Sequence, residues 1–513
     1  MASDADAKKL SFGSVFLLGV NSVIGSGAFL LIQTIYGFMD LTSVLVIVAA
    51  AVAVTMVALC FADLASRFTG PDAAWLSSEK AFGKLTGYEV GIFIWFLGTC
   101  TIAAESVAFF ITLGGFFPVF RDQRVAVWSA IALIVLFGII NLFGDTLVTW
   151  VNNVSSTAKI AIIVLFIIVG AFFLHRQNFS PVIPAAATSA GGFFHHFGEA
   201  FADVFYMYTG FNFIPIMASK MNHPEKNVPR VLIAVMITCT VLYSLMALFA
   251  IGIIGSSIVN YDLPVAIAFR DAVGEWGYVV IALGMLVSIF GVGFSISFSS
   301  PLNLASLADR PHRFLPHGLT KTNKFGSPWA AVAITIIVAC FLATQSYDTL
   351  VNMLVFASFV QYVPSIISVI RFKHTGKCPG HGFKLPGGYT FPILALIVSA
   401  YMMFQFTLET FAIGVCVAVV AGVVYYINRP SKRTVAVLRT AGVDVEDPEA
   451  IKTYKNELKG RGSTLSQIVK AYKKNGRKVV PLASSAVSDV HSAGAADAAD
   501  AADAADADAQ AVK

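Results

Sequence analysis

Residues 41–61, "LTSVLVIVAAAVAVTMVALCF", contain no charged side chain. A helix made of them has no polar face to turn toward water, which excludes the amphipathic helix of a soluble domain. About 20 such residues cross the hydrocarbon of a bilayer. The texture recurs along the chain, as in "AIGVCVAVVAGVVYYI" (412–427). Charged residues make up 13% of the 513, where a soluble domain carries about a quarter. The expected fold class is an all-α integral membrane protein. Twelve transmembrane helices are expected, at about 12–34, 41–63, 87–117, 125–143, 152–174, 198–218, 230–254, 275–306, 328–345, 349–370, 390–409 and 411–428. The first is too long and too interrupted for a cleaved signal peptide.

Twelve spans make a checkable claim about charge, because cytoplasmic loops hold the excess Lys and Arg. With the N-terminus inside, nineteen basic residues fall on the cytoplasmic face, among them Lys8, Arg67, Lys84, Lys226, Arg313, Lys324, Lys373 and Arg433. The opposite face receives Arg121, Arg124, Arg176 and Arg270. The count and the orientation support each other, and both termini are expected in the cytoplasm of a cell whose plasma membrane holds the protein. The net charge of +5 follows from those loops and implies no nucleic acid. Five of the six cysteines fall in spans as small apolar packing residues. Cys378, beside His381, lacks the further ligands of a metal site, and no cofactor is expected. Residues 1–11 form a cytoplasmic N-terminus, 12–428 the membrane domain and 429–513 a cytoplasmic tail. The tail ends in "AGAADAADAADAADADAQ" (493–510), which has no means of building a core. It is expected to be largely disordered, with 447–480 basic enough to form short helices against lipid headgroups.

Two spans carry their weakest point at mid-depth. The first holds "NSVIGSGAFLLIQ" (21–33), with Gly25, Ser26 and Gly27 at its centre; the sixth, "FADVFYMYTGFNFIPIMASK" (201–220), is interrupted by Gly210, Asn212 and Pro215. A glycine inside a helix costs about 1 kcal/mol relative to alanine, and freed backbone groups in a bilayer must find other partners. Interrupted helices at positions one and six divide the chain into two five-span units (12–174 and 198–370), the sequence pattern of an inverted-repeat transporter with its site between the breaks.

"GVNSVIGSGAFLL", "ADLASRF", "VNNVSSTAKIAIIVLFIIVG" (151–170), "KMNHPEKNVPRVL" (220–232), "FLPHGLTKTNKFGSPWAAV" (314–332) and "FKLPGG" (383–388) occur in an order that resembles the amino acid–polyamine–organocation (APC) superfamily, in its bacterial amino acid permease and antiporter branch. The resemblance covers about 10–428. It implies a LeuT-like 5+5 inverted repeat with two peripheral helices at 390–428. The sequence departs from the pattern at "TGPDAAWL", at "DRPHRFLP" and at Asn212, where relatives often have Glu.

A break at 25–27 frees backbone N–H groups for a substrate carboxylate, and glycine admits close approach. Carbonyls of Val23 and Ile24, with those near Tyr206, Met207 and Gly210, are free to accept from a substrate ammonium. Expected substrate-binding residues are therefore Val23, Ile24, Gly25, Ser26, Gly27, Tyr206, Gly210 and Asn212, with Phe211, Phe213, Ile94, Trp95 and Phe294 as further neighbours. The resemblance places Tyr206 as an aromatic lid. Two ionisable residues lie deep in spans, Lys159 and Glu105, and such groups are functional candidates. The resemblance puts Lys159 near the sodium site of sodium-coupled cousins, where its ammonium would contact freed carbonyls of span one, with Ser295 or Ser297 nearby. Both are expected to couple transport to protons. The expected function is secondary active uptake of a neutral amino acid, as a monomer or homodimer in lipid. Amino acid/amine or amino acid/amino acid exchange and a transport-deficient sensor are the alternatives. The spans hold no nucleophile-and-base pair of an enzyme.

Overall fold

The computed structural model describes residues 11–68, 73–144, 146–184, 188–212, 214, 221, 223–309, 314–380, 383, 385, 387–428 and short pieces between 437 and 469. The expected residues Phe213, Pro215 and His381 lie outside these, as do most of the tail and several loop cations. The elements are helical: α1 (Phe12–Val23), α2 (Gly27–Leu30), α3 (Ile32–Met39), α4 (Ser43–Arg67), α5 (Ala73–Phe82), α6 (Lys84–Leu113), α7 (Gln123–Asn141), α8 (Thr146–Gly170), α9 (Ala190–Met207), α10 (Pro224–Ile254), α11 (Pro264–Val273), α12 (Glu275–Ser306), α13 (Trp329–Leu342), α14 (Tyr347–Thr375), α15 (Thr390–Met403) and α16 (Leu408–Asn428). Among the described residues, eight helical stretches are long and apolar enough to cross a bilayer; α1, α13 and α15 are shorter apolar helices. The protein is a multi-pass membrane protein.

Polar residues mark where the helices begin. The Ser11 side chain accepts from the Ser14 N–H, Asp122 from the N–H groups of Arg124 and Val125, and Ser346 from the N–H of Thr349. Such caps satisfy donors a helix start leaves unpaired. Between them the apolar runs are nearly uniform, so tertiary packing decides which face is inside. The most apolar stretches of α6 and α14 are 78% and 72% buried, against 28% for α7 and 22% for α16. The first two therefore stand at the centre and the last two face lipid. α12 packs along α6 and α8, and α4 along α10. Polar links cross between helices, as where Trp95 Nε1 donates to Thr335 Oγ1 at 2.9 Å and Asn141 Nδ2 to Ser297 Oγ at 2.9 Å. Each such bond contributes about 0.6–2 kcal/mol inside a bilayer.

The chain divides into two compact units, one of residues 1–308 and 315–425, the other of 309–314 and 426–513. Within the second, Leu438, Ala441, Tyr454 and Leu458 are buried together, with Leu465 and Ile468 packed against them. The basic half of the tail thus builds a small apolar cluster of its own, which charge counting alone does not foresee.

Candidate functional site

Both expected breaks are present. α1 ends at Val23, Ile24 is extended (φ −81°, ψ 93°), and helix resumes at Gly27. α9 ends at Met207, and the chain turns through Gly210 at φ 101°. That φ favours glycine, and a Cβ on Gly210 would collide with the Ser22 carbonyl. The two breaks are therefore in backbone contact.

A helix that breaks leaves carbonyls without their N–H partners four residues on, and several of the freed groups here have substitutes. Lys159 Nζ, fully buried on α8, donates to Ile24 O at 2.6 Å and Asn21 O at 3.1 Å. Ser288 Oγ of α12 also reaches Ile24 O, at 3.4 Å. The Tyr243 hydroxyl of α10 lies 3.2 Å from Val23 O and 3.1 Å from Met207 O. On the other side of the break, the Ser26 N–H donates to both carboxylate oxygens of Glu105 at 3.1 Å, and Ser26 Oγ donates to Glu105 Oε1 at 3.1 Å. Tyr206 and Tyr347 close over Ser26, their hydroxyls 3.2 Å and 2.9 Å from its Oγ. Gly25 and Gly27 leave no room for side chains: a Cβ on the first would run into the Glu105 carboxylate, and one on the second would stand 2.7 Å from the Tyr206 ring. What remains beneath these groups is a cavity of about 20 Å³, room for about one water molecule.

The structure thus brings Val23, Ile24, Gly25, Ser26, Gly27, Tyr206, Gly210, Glu105 and Lys159 into one cluster. Asn212 is not in the cavity wall; its Nδ2 faces Gln361 Oε1 of α14 at 3.4 Å. Ile94, Trp95 and Phe294 also stand away from it. The indole of Trp95 bonds to Thr335, and Phe294 packs on Phe137 and Phe290. Their places are taken by Leu97 and Thr101, further along α6, and by Val292 and Ile296 of α12. Helical phase explains the shift from Trp95 to Leu97 and from Phe294 to Val292 and Ile296, since two residues along a helix turn a side chain to another face. The Lys159 hydrogen bonds go to Asn21 O and Ile24 O, and not to Ser295 or Ser297. Ser295 joins Asn21 and Asn152, which are bonded to each other, and Ser297 accepts from Asn141.

Tyr243 and Tyr347 escape the sequence reading. Tyr243 carries a signal all the same: tyrosines of membrane helices concentrate at the interfaces, and one at mid-span needs an acceptor for its hydroxyl.

Residues 10–426 match the family described as amino acid permease. An uncharacterized transporter of Mycobacterium tuberculosis is 27% identical over 76% of this chain and 86% of its own length. A methylthioribose transporter of Bacillus subtilis is 25% identical over 82% and 93%. A branched-chain amino acid permease of the same organism is 24% identical over 77% and 87%. With the match running from the start of the first interrupted helix almost to the end of α16, the chain belongs to the amino acid permease family of the APC superfamily.

Proposed function

We propose that this permease carries a small neutral α-amino acid across the plasma membrane by alternating access, with net uptake coupled to protons through Glu105 and Lys159. The observation that carries the reading is Glu105. A carboxylate of the protein sits on the N–H and hydroxyl of Ser26, at the break where the second half of the helix begins, so the place is built to receive a carboxylate. A substrate carboxylate needs the same donors, and Glu105 has to leave them. A protonated Glu105 gives up an acceptor's place at small cost, whereas a bare buried charge does not, and substrate entry is thereby tied to proton uptake. Lys159, holding the carbonyls on the other side of the break, performs the structural task of a cation and exchanges its proton as the bundle rocks.

The fold that supports this is a twelve-span one with a 5+5 inverted repeat and both termini cytoplasmic. Its support is the order of elements. An interrupted helix, a long helix, a ten-residue helix and three further helices (α1–α3, α4, α5, α6, α7, α8) recur in that sequence as α9 with its break, α10, the ten-residue α11, α12, α13 and α14. Side-chain selection falls to Leu97, Thr101, Val292 and Ile296. This wall is apolar apart from one hydroxyl, which Thr101 donates to its own helix at Leu97 O. The carboxyl group in the cavity, Glu105, is protonated once it gives up Ser26 to the substrate, which leaves a cationic side chain without a counter-ion there. The name of the branched-chain relative accords with such a pocket.

Uptake into substrate-free proteoliposomes tests the reading, using labelled alanine, leucine, arginine, lysine and methylthioribose with and without a pH gradient. Neutral amino acids are expected to accumulate, faster with the interior alkaline. Accumulation of methylthioribose in place of every amino acid would overturn it.

A further inference from the structure

We infer that Tyr243 is a positioning residue that ties the two broken helices together and sets the carbonyl pair that reads the substrate's ammonium group. The inference rests on the proposed amino acid site and adds a residue to it. Val23 O and Met207 O are the carbonyls that would have bonded to Gly27 and Phe211 had α1 and α9 continued. They belong to different half-helices, yet one hydroxyl lies 3.2 Å from the first and 3.1 Å from the second. Both are C-terminal helix carbonyls, where the partial negative charge of the helix dipole gathers. Two such ends repel unless a donor stands between them, and Tyr243 is that donor.

The phenol is held where it is. Tyr243 is fully buried and stands on α10, an uninterrupted rod of 31 residues. Its ring lies 5.3 Å from that of Tyr208, whose own hydroxyl bonds to Ile47 O of α4. A hydroxyl has one proton for its two carbonyls. When a substrate ammonium, with three donors, reaches Val23 O, the Tyr243 hydroxyl donates to Met207 O alone, and the two carbonyls keep the spacing the hydroxyl gave them. The residue acts through the backbone and touches no substrate. Its effect is confined to the ammonium end, because the carboxylate end is read at Ser26.

The test separates amino acids from analogues that lack the amine. Competition against labelled substrate by L-alanine and L-lactate, and by L-leucine and L-2-hydroxy-4-methylpentanoate, is measured on the purified full-length protein. Tyr243→Phe is compared with a second variant carrying 4-fluorophenylalanine at 243, which fills the hydroxyl's space without donating. In both variants the preference for amino acid over hydroxy acid is expected to fall about tenfold, while hydroxy acid binding stays within about twofold of wild type. An unchanged preference, an equal loss for both ligand types, or a loss in Tyr243→Phe alone, which would report a cavity, overturns the inference. If Tyr243→Phe does not survive purification, the fluorinated variant gives the reading. A wild type that binds no amino acid overturns the proposed function as well.

Discussion

At the scale of single residues, the site is a set of substitutions for backbone partners. Gly27 shows how little room they leave. A Cβ there would lie 2.7 Å from two atoms of the Tyr206 ring, and forced overpacking of this kind costs about 1–3 kcal/mol. Gly27→Val is expected to weaken substrate binding at least tenfold, about 1.4 kcal/mol, while the protein still inserts and purifies as a single species; normal affinity in a scintillation-proximity assay would count against a site at this glycine. Glu105→Gln removes the charge but keeps an acceptor for Ser26, so it is expected to retain binding and to lose the pH dependence of uptake. Lys159 and Glu105 were legible because a charge in an apolar run is conspicuous. The glycines were legible because they weaken a span. Asn212 stands outside the cavity wall because it lies in the turn that follows α9, and Leu97, Thr101, Val292 and Ile296 do not stand out in the sequence because, in helices that are apolar all round, composition does not reveal which face meets the cavity. Tyr347 was hidden differently, since its contact with Ser26 spans more than three hundred residues.

At the scale of elements, the interrupted helices depend on the continuous ones around them. α8 supplies Lys159, α10 supplies Tyr243 and α6 supplies Glu105, each bonding to backbone that the breaks expose. If Lys159 does the work of a metal cation at Ile24 O, transport needs no sodium. Uptake is expected to be unchanged when Na⁺ is replaced by choline at fixed pH, and a collapse of the rate would refute that role. Lys159→Ala removes the ammonium but leaves the Ser26 side of the break intact. It is expected to bind substrate within about tenfold of wild type and to lose net uptake along with its pH dependence. Lys159→Arg, which stays charged, is expected to bind and cycle slowly. An unchanged rate and pH profile in Lys159→Ala would make the lysine structural only. The breaks themselves are readable from Gly25, Gly27 and Gly210. That their backbone groups are met by side chains, and by which, depends on contacts between distant spans that no local pattern encodes.

At the scale of the whole molecule, the chain was easiest to read where physics is bluntest. Apolar length marked the helices, and α12 falls at the expected residues, Glu275–Ser306. The ten-residue helices α5 and α11 were passed over because they are too short to span. The proposed orientation puts Cys378, which is partly exposed and whose carbonyl accepts from Arg67 Nη1 at 2.8 Å, on the cytoplasmic side. A membrane-impermeant maleimide is expected to label it in inverted vesicles and not in intact cells, with the signal lost in Cys378→Ser; labelling of intact cells would reverse the topology. The narrowness of the cavity has a consequence for the direction of traffic. A carrier whose binding groups are exposed when unloaded must wait for cargo before its return stroke, and so works as an exchanger. Here Glu105, Lys159 and Tyr243 already occupy several of the donors and acceptors of the break, and only about 20 Å³ is left over. If these side chains stand in for the substrate's charges, as proposed, the carrier returns without cargo. On the proposed mechanism, substrate on the far side of the membrane is therefore expected not to accelerate uptake, and a rate that rises with trans substrate would make the protein an exchanger.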